Sequence, residues 1–178
     1  MQTHDPYAAL PQVPSFTVTS QDFADGEPFP PAQYSLRMGV PVGRDASPQL
    51  SWSGFPAETR SFAVTMYDPD APTASGYWHW AAFNIPVSVT SLDTDAANNG
   101  GMPKGSVQLA NDAGFPGFVG AAPPAGHGPH RYFVVVHAVD TDELDVPPTA
   151  TAASLGFALF SSTLARARII GIGEVPED

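Results

Sequence analysis

The sequence predicts a single β-rich domain of the sandwich or barrel class. A chain of 178 residues has the size of one domain, and a second independent core would be cramped. The 20 prolines and 16 glycines stand beside a hydrophobic fraction of 43%, so they indicate frequent turns between short strands rather than low complexity. We place the domain at residues 16–178, after a loose, proline-containing lead-in at residues 1–15.

The strands are predicted where β-rich runs stop at proline or glycine. Residues 61–67 stop at Asp68-Pro69, and residues 78–85 stop at Pro86. Residues 131–139 are aromatic and β-branched on both faces, which predicts a central strand. Shorter strands are expected at residues 16–19, 50–52 and 169–172.

One helix is predicted, at residues 151–167, from apolar residues that recur at helical spacing. Thr149 or Thr151 can cap its start. Arg166 and Arg168 would then lie at its C-terminus, where cations suit the helix dipole. The glycine- and proline-rich region 95–128 is too long for an ordinary connection, and we expect a packed functional loop.

Charge and composition exclude several classes of partner. The net charge of -11, from 18 acidic and 7 basic residues, disfavours nucleic acid and anionic membrane surfaces. Without cysteine there are no disulfides, no thiol catalysis and no thiolate-ligated metals. The apolar stretches are too short to cross a membrane and the N-terminus has no export signal, so we expect a cytoplasmic protein without integral membrane association.

Three polar clusters could carry chemistry, and each has a plain structural alternative. Asp68 and Asp70 lie in a turn stiffened by two prolines, which could be only a rigid acidic turn. His79 lies in a predicted strand, where alternation places it on the face of Ala81, Phe83 and Ile85; it could be a structural core histidine. His130 begins the strongest strand, directly after a glycine-rich loop whose N–H groups could approach an anion.

The positions of these clusters favour a shared site. Asp68 lies at the end of its strand, and His79 and His130 lie near the starts of theirs. In adjacent antiparallel strands those ends meet at one rim. His127 is expected to be an exposed loop residue, and His137, on the opposite face from His130, to be a packing residue.

The same residues resemble the phosphatidylethanolamine-binding protein family, in its compact bacterial and archaeal branch of Raf kinase inhibitor-like proteins. The resemblance spans residues 16–173, and its motifs occur in order. They are Ser47-Pro48 with Leu50-Ser51-Trp52-Ser53-Gly54, Asp68-Pro69-Asp70-Ala71-Pro72, His79 with Asn84-Ile85-Pro86, Asn111-Asp112 through Gly120-Ala121-Ala122-Pro123-Pro124, and Gly128-Pro129-His130-Arg131-Tyr132.

The resemblance implies a large antiparallel sheet packed on a smaller one, with one or two short helices and an anion pocket at one end. It implies that the pocket holds phosphate, a phosphorylated headgroup or a small carboxylate, needs no cofactor or metal, and that the protein forms a homodimer. The implied ligand-binding residues are Asp68, Asp70, Ala71, Pro72, His79, Phe118, Gly120, Pro124, His130 and Tyr132. Phe118 stands where many relatives have tyrosine.

The leading functional hypothesis is a non-catalytic binding or regulatory protein, with a protein kinase or a protease as its partner. No nucleophile elbow, P-loop or dinucleotide fingerprint is present in the sequence. Two alternatives stay open. Asp68 with His130 could perform general acid–base catalysis in a small hydrolase, or two histidines and two aspartates could hold zinc.

Overall fold

The computed structural model describes residues 4–177. The strands are β1 Thr17–Thr19, β2 Leu50–Ser53, β3 Ser61–Asp68, β4 Tyr77–Pro86, β5 Ser91–Leu92, β6 Val107–Gln108, β7 His130–Val139 and β8 Thr163–Gly173. One α-helix, α1, spans Ala152–Ser162, and a short 3-10 helix spans Pro31–Gln33.

Two antiparallel sheets confirm the predicted fold class. The large sheet has the strand order β6-β4-β3-β7-β8, and the small sheet has the order β1-β2-β5. The inter-sheet core lies between them, with Trp52 of β2 packing edge-on against Phe62 of β3 at a ring-centroid distance of 5.3 Å. A second core lies on the other face of the large sheet, where α1 presents Leu155 and Leu159. Because both faces are covered, β3 and β7 can be apolar throughout.

The predicted extent of the helix is wrong. The α-helix ends at Ser162, and residues 163–173 form the edge strand β8, which pairs with β7 along its length. Ala165, Ala167 and Ile169 alternate into the inter-sheet core, which is the period of a strand. Tertiary pairing with β7 therefore outweighs the helical tendency of residues 163–167.

Arg166 and Arg168 consequently have no role at a helix terminus. Both point from β8 towards residues 4–15, which we call the N-terminal segment. Arg166 donates to the carbonyl oxygen of Pro11 at 2.9 Å, and Arg168 forms an ion pair with Asp5 at 2.5 Å. A parallel bridge from Ser15 to Arg166 continues this contact along the sheet edge.

A capping substitution tests the start of the helix. The hydroxyl oxygen of Thr151 accepts the N–H of Ser154 at 3.1 Å. Thr151→Ala should lower the free energy of unfolding by about 1 kcal/mol, because this N–H loses its partner. Thr149→Ala, just outside the helix, is the matched control and should cost less than about 0.5 kcal/mol. Urea unfolding followed by circular dichroism measures both, and equal losses would contradict the assignment of Thr151 as the cap.

Candidate functional site

The pairing of β3 with β4 and β7 brings the three polar clusters to one end of the large sheet. Asp68 pairs with Tyr77 at the start of β4, and Tyr67 pairs with Phe133 near the start of β7. Asp68, His79 and His130 are all buried there, at 3%, 3% and 1% exposure. We call these three residues the polar cluster.

Asp68 is the centre of this cluster, and both of its carboxylate oxygens are engaged. Oδ1 accepts the N–H groups of Asp70 at 2.8 Å and Ala71 at 3.0 Å, which fixes the turn after β3. Oδ2 lies 2.8 Å from Nδ1 of His130. A carboxylate can only accept, so His130 carries its proton on Nδ1. Pro72, which follows in the turn, is exposed at the rim.

His79 reaches the cluster through a β-bulge. Met66 pairs with Trp80 and Tyr67 pairs with Trp78, so His79 is an extra residue without a partner in β3. A bulge re-aims a side chain, and the His79 ring lies 5.1 Å from the ring of Tyr132 in the inter-sheet core. The expectation that His79 shares a face with Ala81 and Phe83 was therefore wrong, because those two residues belong to the core beneath α1.

The hydrogen bonds of His79 determine its tautomer. Nδ1 lies 2.9 Å from the carbonyl oxygen of Val119, which can only accept, so Nδ1 carries the proton. Burial lowers the pKa of His79, which keeps the ring neutral at pH 7. The second nitrogen, Nε2, then presents a lone pair to a ligand. It can become a donor only by taking up a proton.

His127 is a site residue that the sequence prediction missed. It is exposed, as expected, but its Nδ1 lies 2.7 Å from Nε2 of His130. One of these nitrogens donates and the other accepts, so Asp68, His130 and His127 form a hydrogen-bonded chain. Gly126 and Gly128, at φ of 72° and 90°, allow the loop to bring the ring to this position. The only signal in the sequence was the short spacing between the two histidines.

Asp70 supports the site from outside the cluster. Its oxygens accept from Nη2 of Arg131 at 2.7 Å, from Nε at 2.8 Å and from the Arg131 backbone N–H at 2.9 Å. Partial burial raises the pKa of Asp70, but the hydrogen bonds from Arg131 outweigh it and hold the pKa below its ordinary value. The pair closes the turn after β3 onto the start of β7.

Tyr132 and the loop 109–129 complete the surroundings of the cluster. Tyr132 is 1% exposed, and burial together with the charge of Asp68 raises the pKa of its phenol. Phe118 is buried and packs edge-on against Trp80 at 6.1 Å, so it is part of the wall rather than a polar contact. Pro124 is exposed at the rim.

Gly120 is held by Asp45, a second residue that the sequence prediction missed. The N–H of Gly120 donates to Oδ1 of Asp45 at 2.9 Å, and Oδ2 of Asp45 accepts the N–H of Arg37 at 3.1 Å. A Cβ at Gly120 would lie 2.4 Å from the carbonyl carbon of Tyr34, so only glycine fits. No pattern in the sequence marked Asp45, because its role depends on contacts made far along the chain.

Two features of the described residues bear on ligands: their cavities and their metal-ligating side chains. Three cavities stand out in residues 4–177, with volumes of about 260, 490 and 310 Å³, and neither Asp68, His79 nor His130 lines any of them. In the same part of the chain, no group of three or more histidine, aspartate or glutamate side chains is placed to hold a metal ion. The carboxylate of the polar cluster, that of Asp68, accepts from N–H groups instead.

The comparisons with known proteins show the family. Residues 19–173 match the family model of the phosphatidylethanolamine-binding proteins, and the chain belongs to this family. YbcL of Escherichia coli is 43% identical over 166 residues, which covers 92% of this chain and 90% of the relative. LppC of Mycobacterium tuberculosis, named as a candidate lipoprotein, is 32% identical over 173 residues, which covers 97% of this chain and 79% of the relative.

Solved structures agree with this assignment. The crystal structure of Escherichia coli YbcL, described as a member of the mammalian phosphatidylethanolamine-binding protein family, superposes with a TM-score of 0.86 and covers 90% of this chain and 99% of its own. A homologue from Chlamydia trachomatis, at 30% identity, superposes with a TM-score of 0.73 and covers 89% of this chain and 96% of its own. None of the helices in the described part of our chain has the length and hydrophobicity needed to span a bilayer.

The ion pair between Asp70 and Arg131 should stabilise the fold. Its side chains are 10% and 14% exposed, so Asp70→Asn should lower the free energy of unfolding at pH 7 by about 2 kcal/mol, as expected for charge-assisted hydrogen bonds. Because the folded-state pKa of Asp70 is lowered, this stabilisation is present above the unfolded-state pKa, ordinarily 3.8, and is lost as the pH falls through the folded-state value.

Urea unfolding at pH 7 and at pH 3 measures this difference. The two proteins should be closer in stability at pH 3 than at pH 7. The control is Asp142→Asn, which removes an ion pair to Arg60 whose side chains are 71% and 59% exposed, and it should cost less than about 0.5 kcal/mol. If Asp70→Asn lowers the free energy of unfolding at pH 7 as little as Asp142→Asn does, the Asp70 pair does not stabilise the start of β7.

Proposed function

We propose that this protein binds a small anion at the polar cluster and acts as a non-catalytic binding or regulatory protein. The observation that carries the proposal is a pair of buried imidazoles, His79 and His130, each anchored through Nδ1 and both packed against Tyr132. Anchoring through Nδ1 fixes the orientation of both rings, and an anion that reaches Nε2 of His130 would displace the ring of His127 from it. Such a pair is preorganised to meet an oxyanion.

The chemistry of the ligand follows from the groups that surround it. Phosphate, a phosphorylated headgroup and a small carboxylate all offer oxygens that accept from imidazole N–H groups. The guanidinium of Arg131, which follows His130 in β7, is already paired with Asp70. Binding therefore depends on the histidines, and His79, whose pKa is lowered by burial, must take up a proton to donate through Nε2.

Family membership supports a binding role rather than turnover. The hydrogen bond from His127 to Nε2 of His130 would have to open for a substrate as well as for an anion, so it does not separate the two roles. The partner that we propose for the anion site is a phosphorylated segment of a protein kinase or of a protease. The homodimer and the cytoplasmic location stay predictions.

Anion binding should weaken as the pH rises. In the free protein the pKa of His79 is lowered by burial, so the ring is neutral at pH 7 and charges only when an anion favours the imidazolium form. The affinity for inorganic phosphate should therefore increase as the pH falls towards the pKa of the free protein, with net proton uptake. Calorimetry at pH 6 and pH 8, in two buffers of different ionisation enthalpy, measures both quantities.

Two variants make this experiment specific. His130→Ala should lower the phosphate affinity at least tenfold, since a charge-assisted hydrogen bond contributes about 1.5–3 kcal/mol. His4→Ala, which removes an exposed histidine from the N-terminal segment, should leave it unchanged. A phosphate affinity that does not change between pH 6 and pH 8 would contradict the proposed role of His79. A phosphate affinity that is unchanged in His130→Ala would contradict the proposed site.

His127 should compete with the anion for His130. Displacing its ring from Nε2 of His130 costs one hydrogen bond, about 0.5–1.5 kcal/mol. His127→Ala removes that cost and should raise the phosphate affinity about two- to tenfold. The same calorimetric titration decides this, with His4→Ala again as the control. A lower affinity in His127→Ala would instead make His127 a ligand of the anion.

A further inference from the structure

A cavity of about 260 Å³ lies on the face of the large sheet opposite the anion site. Its walls are α1, the outer face of β3 and β7, and the N-terminal segment. Residues of β7 alternate between the two faces, so His130 faces the inter-sheet core whereas His137 lines this cavity. Exposed Leu10 and Phe160, at 37% and 60%, mark the side where the cavity meets solvent.

Polar groups without partners interrupt the apolar lining. The hydroxyl oxygen of Thr65, in a residue that is 3% exposed, is buried; it approaches the phenol of Tyr7 but has no hydrogen-bond partner within 3.5 Å among the described residues. Nε of Arg166 is buried and unpartnered in the same part of the structure. Leaving such a group unsatisfied costs about 1–3 kcal/mol, and native proteins keep few of them. Their presence beside a cavity indicates a missing polar partner.

The sign of the charge in the cavity indicates an anionic partner. The ion pairs that arginines form among the described residues join Arg60 to Asp142, Arg131 to Asp70, and Arg168 to Asp5, and none includes Arg166.

The direct contacts of Arg166 are with neutral groups, and the carboxylate of Asp5, which is paired with Arg168, acts on its charge only from a greater distance. Its Nη2 donates to the carbonyl of Pro11, and its guanidinium lies 5.8 Å from the ring of Tyr7. His137 adds no charge, because burial, together with the nearby Arg166, lowers its pKa to about 3. A half-buried cation without a carboxylate partner favours an anion beside it.

We propose that this cavity binds a small monocarboxylate with an apolar body. The carboxylate would pair with Arg166, with Thr65 donating, and the apolar part would pack against Trp78 and Leu159. A volume of about 260 Å³ equals that of roughly nine water molecules in the liquid, so the ligand has about nine or ten non-hydrogen atoms. Octanoate has this size and shape, and inorganic phosphate lacks the apolar body.

Gly156 provides a way to fill the cavity without damaging the fold. It lines the cavity from α1, and a Cβ at this position would meet no atom within 4 Å. Gly156→Leu therefore places a side chain in open space, and it replaces a poor helix former by a good one. The variant should keep or raise the thermal stability while it removes the binding site.

Calorimetric titration with octanoate tests the proposal, with octan-1-ol as the uncharged probe of the same length. Octanoate should bind the full chain, and its affinity should fall at least tenfold in Gly156→Leu. Arg166→Met keeps an apolar stem but removes the charge. It should lower the affinity for octanoate at least tenfold and change the affinity for octan-1-ol less than threefold. His130→Ala should leave octanoate binding unchanged, and excess phosphate should not displace it, which separates this site from the anion site.

Several binding results would contradict the proposal. Absence of octanoate binding to the full chain would overturn it and leave water as the partner of Thr65. Octan-1-ol binding more tightly than octanoate, or equal octanoate affinity in Arg166→Met, would overturn the carboxylate class. Ala153→Leu, one turn earlier in α1, repeats the filling test if Gly156→Leu does not fold. Octanoate affinity that is unchanged in a folded filling variant would place the ligand elsewhere.

Discussion

The buried carboxylate of Asp68 is the interaction on which the polar end of the large sheet depends. An ionised group at 3% exposure is costly unless hydrogen bonds replace its water. Asp68 meets this requirement with two backbone N–H groups of the following turn and one imidazole N–H. The same three bonds fix the path of the turn, which brings Asp70 to Arg131, and the tautomer of His130. One side chain thus couples the end of β3 to the start of β7.

The sequence was sufficient for the strands that carry this cluster but not for the last helix. Residues 61–67 and 131–139 are apolar on both faces and stop at clear turn signals, so their positions could be predicted. Residues 163–167 carry no comparable signal, since small and aliphatic residues there suit either a helix or a strand. The choice is made by ten residues of β8 pairing with β7, a long-range contact that local spacing does not contain.

The details of the candidate site depended on irregular backbone that a regular pattern cannot anticipate. Alternation along β4 predicts the wrong face for His79, because one unpaired residue shifts the register between β3 and β4. His127 reaches His130 only because two glycines adopt positive φ. Asp45 holds Gly120 across 75 positions of the chain. In each case the residue type was visible and the geometry that gives it a role was not.

The two histidines of β7 show how strongly local surroundings decide the behaviour of one residue type. His130 donates to the buried carboxylate of Asp68, whereas His137 lies in an apolar wall beside Arg166, where burial lowers its pKa and favours the neutral form. A net charge of -11 repels anions from the surface as a whole, but at physiological ionic strength such repulsion is screened beyond about 8 Å. Within that distance the nearest groups dominate. The anion sites proposed at His79 and His130, on one face of the large sheet, and at Arg166, on the other, are therefore compatible with an acidic protein.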